Sequence, residues 1–491
     1  MRPFLKLPLL IVVLLAGIVV GRALTGESGK DEPVSRVMFP IDEAGAIARF
    51  QQAIRFPTIS TQDGSVDTQA FLGLHEFLRT SFPLVHQRLT RETVGDLSLV
   101  YRWPGRDTSK PPIVLMGHLD VVPIAPGTEG SWTHPPFDAI LDGDWIYGRG
   151  TLDDKSTVMA VLESVEWLLK SGFTPERTII LQFGQDEEVG GIKGAKSIVE
   201  KLSKEGVKPA LVLDEGGALA SAVSIGAPGM VALIGVAEKG FASISLGASG
   251  DGGHSSTPPS VTHIGRLARA IAALEKSPFA ASLDGVPREM LERSASHVSF
   301  ARRLALRNLW LFGPLVTRAM LADPRAASML RTSTAATIFN AGNKDNVLPP
   351  EAHAVVNFRI RPGETVESVR QHVIQTIADD QVQVRVEGFR SEPPPPSPTS
   401  GAAFDAIGRS ARETVGDTEP MVLPFLLMGA TDARYWSEHA TNVYRFNPFP
   451  MEEDALKRAH GTNERVSKAG YLNGIRFYVQ LIKNAQTLTA E

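Results

Sequence analysis

Hydrophobic and polar positions follow two different periods along this chain, and the two periods alternate. Apolar residues recur with helical spacing in residues 41–56, 66–82 and 158–169. Short apolar or alternating runs, typical of strands, occupy residues 97–103, 113–116, 179–183 and 211–213. Continuous apolar runs of this length are expected of strands that are buried on both faces. Strands that alternate with helices predict an α/β fold with a mostly parallel central sheet.

A second pattern begins near residue 238 and predicts a separate domain inserted into the first. Its strand-like and helix-like segments, in chain order, are residues 241–246, 261–276, 335–339, 354–360, 366–378 and 382–386. This order, β-α-β-β-α-β, is the ferredoxin-like α+β arrangement. We therefore assign residues 41–237 to the first part of one domain. Residues 238–390 form the inserted domain, with a helical insertion at about 277–334.

The chain then passes through a proline-rich stretch. Consecutive prolines at residues 393–396 predict a stiff linker over residues 391–400. Beyond it come a helix-like segment at 404–415, a strand-like run at 421–427 and a second helix-like segment at 469–482. We expect this last part, residues 401–491, to return to the first domain.

Residues 1–23 form a segment of different character. Basic residues flank an uncharged run at residues 7–21. A basic start followed by an apolar stretch is typical of an export signal, and the run is shorter than the ~20 residues that a membrane-spanning helix usually needs. We expect residues 1–23 to act as a cleaved signal peptide or as a membrane anchor, followed by a polar linker at residues 24–40. The protein would then be exported.

The composition narrows the chemistry that is open to this chain. Its 491 residues include 50 Lys and Arg against 54 Asp and Glu, a net charge of −4, with no basic stretch of the kind that nucleic-acid binding requires. We therefore predict no nucleic-acid partner. The chain contains no cysteine, which excludes disulfides, thiolate metal sites and cysteine nucleophiles. Any metal site must be made of histidine, aspartate and glutamate side chains.

Carboxylates and one histidine follow four strand-like segments, including a short one at residues 145–150. The pairs are His118 with Asp120, Asp153 with Asp154, Glu187 with Glu188, and Asp214 with Glu215. The carboxyl ends of parallel strands meet at one edge of a sheet, where ligands bind in such folds. So many carboxylates at one edge repel one another unless a cation neutralises them. With nitrogen and oxygen ligands only, one or two divalent ions such as zinc fit the cluster.

Each of these residues, taken alone, also has an ordinary structural interpretation. Asp154 could cap the helix that follows it, and Glu187 and Glu188 could be a solvated pair at a helix start. A lone His118 could be a packed side chain. The coincidence of four strand ends favours the functional interpretation, because the separate structural roles would not bring all four pairs to one edge.

Three motifs around these residues resemble the metal-binding motifs of the M20 metallopeptidases. They are MGHLDVVP at residues 116–123, YGRGTLDDK at 147–155 and QDEEVGG at 185–191. Their order, their spacing and the inserted ferredoxin-like domain match that family, and the resemblance covers nearly all of the chain after the linker. The helical insertion and the sequence LDEGG at 213–217 are most similar to the carboxypeptidase S branch, which includes secreted N-acyl-amino-acid hydrolases/synthases.

The resemblance implies a zinc-peptidase-like catalytic domain, an inserted lid or dimerisation domain, and two zinc ions per subunit, with other divalent metals possible. The implied metal ligands are His118, Asp153, Glu188, Asp214 and His460. Asp153 would bridge the two ions and would be followed by a cis peptide. Related families use either carboxylate of the pair at 214–215, and we prefer Asp214 because it comes first after the strand.

The same resemblance implies catalytic and substrate-binding roles. Glu187 would be the general base, and Asp120 would orient His118. His254, in a glycine-rich motif of the inserted domain, would stabilise the oxyanion, which in some members of the family happens across a homodimer. The implied substrate-binding positions are Asn346, Arg359 and Gly429. An arginine suits a terminal carboxylate because it pairs with it bidentately.

These residues predict a dinuclear zinc amidohydrolase. Our first hypothesis is a carboxypeptidase S-like enzyme that releases the C-terminal amino acid of a small peptide. The alternative is an N-acyl-amino-acid amidohydrolase or synthase, for which the apolar residues Trp310 and Phe312 of the insertion are candidates to line an acyl pocket or to pack the insertion. A remote alternative is a non-catalytic ligand-binding protein on the same fold.

Overall fold

The computed structural model describes residues 6–25, 33–415 and 419–488. The N-terminal segment is a helix, α1 (Lys6–Thr25). Residues 1–5 of the predicted signal and residues 26–32 of the predicted linker lie outside the described residues. Over the part of the chain that the structure describes, no helix combines the length and the apolar character needed to cross a membrane. The expected membrane anchor is therefore not supported.

The first part of the chain builds most of the central sheet, two strands of a small separate sheet (β4 and β5) and the surrounding helices. Its helices are α2 (Glu43–Ile54), α3 (Thr68–Ser81), α4 (Pro83–Arg88), α5 (Lys155–Lys170) and α6 (Ser197–Lys204). Its strands are β1 (Thr90–Val94), β2 (Ser98–Trp103), β3 (Ile113–His118), β4 (Leu141–Asp142), β5 (Trp145–Tyr147), β6 (Ile179–Gly184), β7 (Leu211–Asp214), β8 (Ala218–Ser221) and β9 (Met230–Glu238). Strands β3, β6 and β7 are buried along their whole length, as their continuous apolar runs predict.

The inserted part has its own sheet and core. Its helices are α7 (His263–Lys276), α8 (Val286–Ser294), α9 (Phe300–Leu306), α10 (Leu309–Leu321), α11 (Pro324–Leu330) and α12 (Val366–Ile377). Its strands are β10 (Gly240–Ser249), β11 (Gly253–His254), β12 (Ser333–Ala341), β13 (Val347–Leu348), β14 (Glu351–Ile360) and β15 (Gln383–Ser391). The four long strands pair antiparallel in the order β12-β14-β10-β15. Alternate residues of β14 pack under α7 and α12, which gives the ferredoxin-like arrangement.

The last part of the chain adds strands to the first sheet and one strand, its last, to a small three-stranded sheet. Its helices are α13 (Ala402–Thr414), α14 (Ala455–Arg458) and α15 (Lys468–Asn484), and its strands are β16 (Met421–Leu427), β17 (Val443–Arg445), β18 (Pro450–Met451) and β19 (Arg465–Ser467). Strand β17 lies between β7 and β9. The hydroxyl of Ser164 in α5 donates to the carbonyl of Ile475 in α15 over 2.8 Å. The rings of Phe50 and Tyr471 stack with centroids 4.2 Å apart, so both parts share one apolar core.

The central sheet has the strand order β1-β2-β6-β3-β7-β17-β9-β8-β18, with β16 beside β9. Its middle strands β6, β3, β7 and β17 are parallel. Strands β3, β6 and β7 end at His118, Gly184 and Asp214, so the residues that follow them lie at the same edge. The predicted fold class, a mostly parallel α/β sheet with an inserted ferredoxin-like α+β unit, is confirmed.

Candidate active site

His118, the last residue of β3, is completely buried at the edge of the sheet. Its Nδ1 lies 3.0 Å from the carbonyl oxygen of Asp120 and 3.2 Å from that residue's carboxylate. Its Nε2 lies 2.9 Å from Oδ1 of Asp153. Burial opposes protonation of this imidazole, yet the two carboxylates raise its pKa well above the usual value. The ring is thus fixed on one side and faces a carboxylate on the other.

Asp153 lies between two histidines. Its second oxygen is 3.0 Å from Nε2 of His460, and the same nitrogen is 3.0 Å from a carboxylate oxygen of Glu188. Burial raises the pKa of Asp153, but the two imidazoles outweigh that effect and lower it. Asp153 and Glu188 together raise the pKa of His460 to about 10. One carboxylate therefore contacts two separate groups of side chains, and the peptide that follows it is cis.

Glu464 holds the loop that carries Asp153. Its Oε1 accepts the backbone N–H groups of Gly150, Leu152 and Asp153 at 2.7–3.2 Å. Its Oε2 accepts from the guanidinium of Arg149 at 2.6 Å, and both side chains are completely buried. Sequence analysis gave Glu464 no role, although it lies only four residues after His460. Its partners are more than 300 positions away along the chain, and no local pattern could reveal them.

The carboxylate of Asp120 links His118 to the loop after β6. It accepts the backbone N–H groups of Glu187 at 3.1 Å and Glu188 at 3.2 Å, and the hydroxyl of Ser60 at 2.5 Å. The two glutamates lie in a short 3₁₀ helix, Glu187–Val189. Because the 3₁₀ helix sets the direction of each side chain, the two adjacent glutamates can take different roles.

The loop ends in a tight turn that leaves no room for larger residues. Gly190 and Gly191 both have positive φ angles, 106° and 65°, which favour glycine. A Cβ added to Gly191 would lie 2.0 Å from a carboxylate oxygen of Asp432.

Burial raises the pKa of Glu187 well above the usual value, and Asp432 and Glu188 act in the same direction. A carboxylate with a raised pKa is a stronger base, as proton abstraction requires.

Arg434 and Tyr435 also hold this loop and were not predicted. The guanidinium of Arg434 and the hydroxyl of Tyr435 donate to the carbonyl of Gly190 at 2.9 Å and 2.5 Å. The Arg434 guanidinium also lies 5.4 Å from the ring centroid of Phe389 in β15. The inserted domain therefore touches the loop that carries Glu187. These two residues lie five and six positions after Gly429, but nothing in their local sequence indicates the contact.

The carboxylates of Asp214 and Glu215 lie in different environments. Asp214 accepts the backbone N–H of Glu215 at 3.0 Å and that of Ala433 at 2.7 Å. Glu215 instead extends toward the cluster, with a carboxylate oxygen 4.0 Å from Nε2 of His118. Two groups of potential ligand atoms lie within 4.8 Å of one another in the described residues: His118, Asp153 and Glu188, and His118, Asp154 and Glu215. Asp214 is in neither group.

The predicted substrate-binding residues Arg359 and Gly429 come from different parts of the chain. Arg359 lies with its guanidinium 4.8 Å from the ring centroid of Phe241. Burial lowers the pKa of Arg359, and the charge of Glu187 opposes that effect. Gly429 is exposed, and a Cβ placed on it would meet no atom within 4 Å.

His254 lies in β11, which pairs with β13, and Asn346 directly precedes β13. The carbonyl of Asn346 accepts the backbone N–H of Ser255 at 3.1 Å. Nδ1 of His254 lies 2.8 Å from the hydroxyl of Ser256, and the imidazole is exposed. Within the part of the chain that the structure describes, the side chain of His254 hydrogen-bonds only inside its own loop.

Comparison with known protein families agrees with this geometry. The model of peptidase family M20/M25/M40 matches residues 114–484. The chain belongs to this family. It is therefore a hydrolase of a metal-dependent M20 family, as the motifs at 116–123, 147–155 and 185–191 predict. The resemblance stated from those motifs is confirmed.

Some relatives of this chain are named as carboxypeptidases S, and others as N-fatty-acyl-amino acid synthases/hydrolases. A probable carboxypeptidase S-like 2 from Dictyostelium discoideum is 40% identical over 89% of this chain and 84% of its own length. Carboxypeptidase S from Saccharomyces cerevisiae is 30% identical over 91% of this chain and 85% of its own. The mouse N-fatty-acyl-amino acid synthase/hydrolase PM20D1 is 37% identical over 98% of this chain and 97% of its own.

A solved M20 structure supports the fold. The M20 family metallo-carboxypeptidase Sso-CP2 from Sulfolobus solfataricus superposes with a TM-score of 0.66 at 19% identity, covering 90% of this chain and 99% of that chain. Human carnosine dipeptidase 1 has a TM-score of 0.63 at 16% identity, over 91% and 97%. Identities this low show a shared fold only.

Proposed function

We propose that the chain is a dinuclear zinc amidohydrolase that releases a free amino acid from a peptide or an N-acyl derivative. The observation that carries the proposal is the position of Asp153, with one oxygen beside His118 and the other beside His460. In this proposal His118, Asp153 and Glu215 would hold one ion. Asp153, Glu188 and His460 would hold the other, with Asp153 common to both sets.

The donor set fits divalent cations. All donors are imidazole nitrogens or carboxylate oxygens, which suit zinc. Oε1 of Glu188 and Oδ1 of Asp154 are buried atoms with no hydrogen-bond partner among the described residues. Burial raises the pKa of Glu188 to about 7, and the nearby Asp153 adds to the effect. Buried carboxylates at this density are unfavourable without a neutralising cation.

The residues divide the chemical work. Bound metal would polarise the scissile carbonyl and acidify the attacking water. Glu187 would take the proton of that water and pass it to the leaving nitrogen. Asp120 fixes both the imidazole of His118 and the backbone of Glu187, so it positions a ligand and the base from one carboxylate.

Arg359 is the candidate binder of the product's carboxylate. Its guanidinium can pair with a carboxylate bidentately, and the charge of Glu187 acts on it. Phe241 and Phe389, with ring centroids 5.9 Å apart, form an apolar wall beside Gly190. This wall suits an apolar group next to the scissile bond. A carboxypeptidase S-like activity on small peptides with apolar side chains is our first candidate.

The second candidate is hydrolysis or synthesis of N-acyl amino acids. It is favoured by the extent of the match to PM20D1 of mouse, which covers 97% of that protein. Both candidates use the same base and the same carboxylate binder, and they differ in the group that lies on the other side of the amide.

A direct comparison separates the two candidates. Metal-loaded full-length chain would be supplied with an N-blocked dipeptide and with a long-chain N-acyl amino acid that share the same C-terminal residue, and release of that amino acid would be measured. Faster release from the dipeptide supports the carboxypeptidase, and faster release from the acyl amino acid supports the second candidate. Release from neither substrate would contradict the proposal. Arg359→Lys should raise KM for both, because it loses the bidentate pairing.

We extend the proposal to the inserted domain and to the assembly of two chains. We propose that residues 238–390 act as a lid and dimerisation domain. Strand β12 supports this, because it lies at the edge of its sheet and exposes Ile338 and Phe339. An exposed apolar edge strand favours pairing with a second chain.

We also propose that residues 1–23 direct export.

A further inference from the structure

Helix α10 turns an apolar face toward solvent. Trp310, Leu311 and Leu315 are 51%, 48% and 63% exposed. Leu311, Leu315 and Arg318 follow one another at helical spacing along this face. Phe300 in the preceding helix α9 is 49% exposed. Trp310, which sequence analysis considered for an acyl pocket, thus lies on the outer face of the insertion.

Helix α1 lies beside the start of α10. The side-chain amide of Asn308, at the start of α10, donates to the carbonyl of Val19 over 3.0 Å. The guanidinium of Arg22 donates to the carbonyl of Arg307 over 3.3 Å. Val19 is buried, while Val12, Val13, Leu14, Leu15 and Ile18 of the same helix are exposed. Two apolar surfaces from distant parts of the chain therefore adjoin.

The charge around this surface is opposite to that of the whole chain. Residues 298–322 include four arginines and no acidic residue, whereas the chain has a net charge of −4. Apolar side chains, an exposed tryptophan and neighbouring arginines are typical of helices that lie in a membrane interface. A symmetric contact between two copies would instead bring the like charges together.

We propose that the outer face of α10, together with the adjoining face of α1, binds the surface of an anionic phospholipid bilayer. The helices lie in the interface and do not span it. Trp310, Leu311 and Leu315 enter the boundary between headgroups and acyl chains, and the exposed Arg318 on the same face meets the anionic headgroups. This surface is independent of the proposed hydrolytic activity.

Vesicle co-sedimentation of the full-length chain tests the proposal. Binding is expected to vesicles of phosphatidylcholine mixed with phosphatidylglycerol, to be weaker to phosphatidylcholine alone, and to fall as salt is raised. Leu311→Ser/Leu315→Ser should weaken binding ~10-fold, because two exposed leucines no longer enter lipid. The matched control Leu72→Ser, on an exposed leucine of α3, should bind normally. Absence of binding by the unmodified chain, or equal binding by the double variant, would overturn the proposal.

Tryptophan fluorescence gives a second measurement that does not depend on folding of the leucine variant. Of the six tryptophans, Trp310 alone is exposed. Brominated lipids should quench the fluorescence of the unmodified chain, and Trp310→Phe should abolish that quenching while Trp167→Phe keeps it. Equal quenching in both variants would contradict the proposed orientation. A change of oligomeric state in the leucine variant without a change in vesicle binding would identify the face as a subunit interface and overturn the proposal.

Discussion

Asp120 shows how a single side chain can organise a site. Its carboxylate accepts two backbone N–H groups and one hydroxyl, and it also contacts the imidazole of His118. The strand-end position of Asp120 could be predicted from the sequence. Its backbone partners could not, because they depend on the fold of the 3₁₀ turn at Glu187–Val189.

The two carboxylates after β7 should respond differently to substitution. Glu215→Gln is expected to lower the metal content by about one ion per chain, because a two-metal site loses a charged ligand. Asp214→Asn is expected to keep the metal content and to lower the free energy of unfolding by about 1–3 kcal/mol, since one of two buried N–H groups loses its acceptor. Metal analysis and denaturant unfolding of the two variants would check this. Metal loss in Asp214→Asn alone would restore the assignment made from the sequence.

His75, on α3, should contribute a pH dependence to stability. It is buried, its Nε2 has no hydrogen-bond partner among the described residues, and burial lowers its pKa to about 4, with help from Arg91. The unfolded chain takes up this proton near pH ~6.5, so the stability from His75 is present above that pH and is lost as the pH falls toward about 4.

The loss attributable to His75 should be about 2 kcal/mol between about pH 7 and pH 5. Urea unfolding of the unmodified chain and of His75→Leu at both pH values measures it. The variant should show the smaller pH dependence, whereas a leucine at the exposed His439 should leave the pH dependence unchanged. Identical pH dependence in the unmodified chain and in His75→Leu would contradict the assignment.

At the level of elements, apolar periodicity predicts most of the secondary structure. The run at 421–427 coincides with β16, and the helix expected at 469–482 is α15, two residues longer at its end. Strand β17 was not predicted, because its three residues are too few to show a period. The alignment of β3, β6 and β7 explains why three of the four sequence pairs lie at one edge. The fourth pair, Asp153 and Asp154, follows β5, which was expected at the same edge but pairs with β4 and β19 in a separate sheet. Contacts between elements, such as Arg434 with Gly190, require the fold.

The loop between β5 and α5 should depend on Glu464. Glu464→Gln keeps the shape of the side chain, but its amide nitrogen cannot accept a hydrogen bond, and the buried Arg149 loses its charge partner. We expect metal affinity to fall ~10–100-fold, because Asp153 is no longer held in place. Competition with a chelator measures the affinity.

Glu452→Gln is a matched control for this substitution. Glu452 pairs with Arg458 and Arg465 and, among the described residues, has no hydrogen bond or ion pair with the loop that carries Asp153. Its substitution should leave metal affinity unchanged. Equal effects of the two variants would indicate general destabilisation instead of a role for Glu464 in positioning Asp153.

At the level of the whole molecule, the exposed side chain of His254 makes no hydrogen bond to the cluster at the sheet edge among the described residues. The proposed dimer would let a second chain supply this histidine. His254→Ala should bind metal normally and lose ~10²–10³-fold in kcat, the usual effect of removing one oxyanion donor. Mixing it in equal amounts with Glu187→Gln should restore activity to about one quarter of the unmodified level, since half the dimers are mixed and each has one intact site.

Subunit exchange must be confirmed in that experiment by differently tagged chains. No recovery despite exchange would exclude action across a dimer. Full activity of His254→Ala by itself would exclude a catalytic role for this histidine.

The metal content and turnover of Glu187→Gln, measured on one preparation, test the central claim most directly. The amide fills the same space as the carboxylate but is a poor base. The account predicts about two bound zinc ions per chain, as in the unmodified protein, and turnover lower by ~10²–10⁴-fold. Near-normal turnover would contradict the assignment of the general base, and turnover by a chain without bound metal would contradict the metal-dependent mechanism itself.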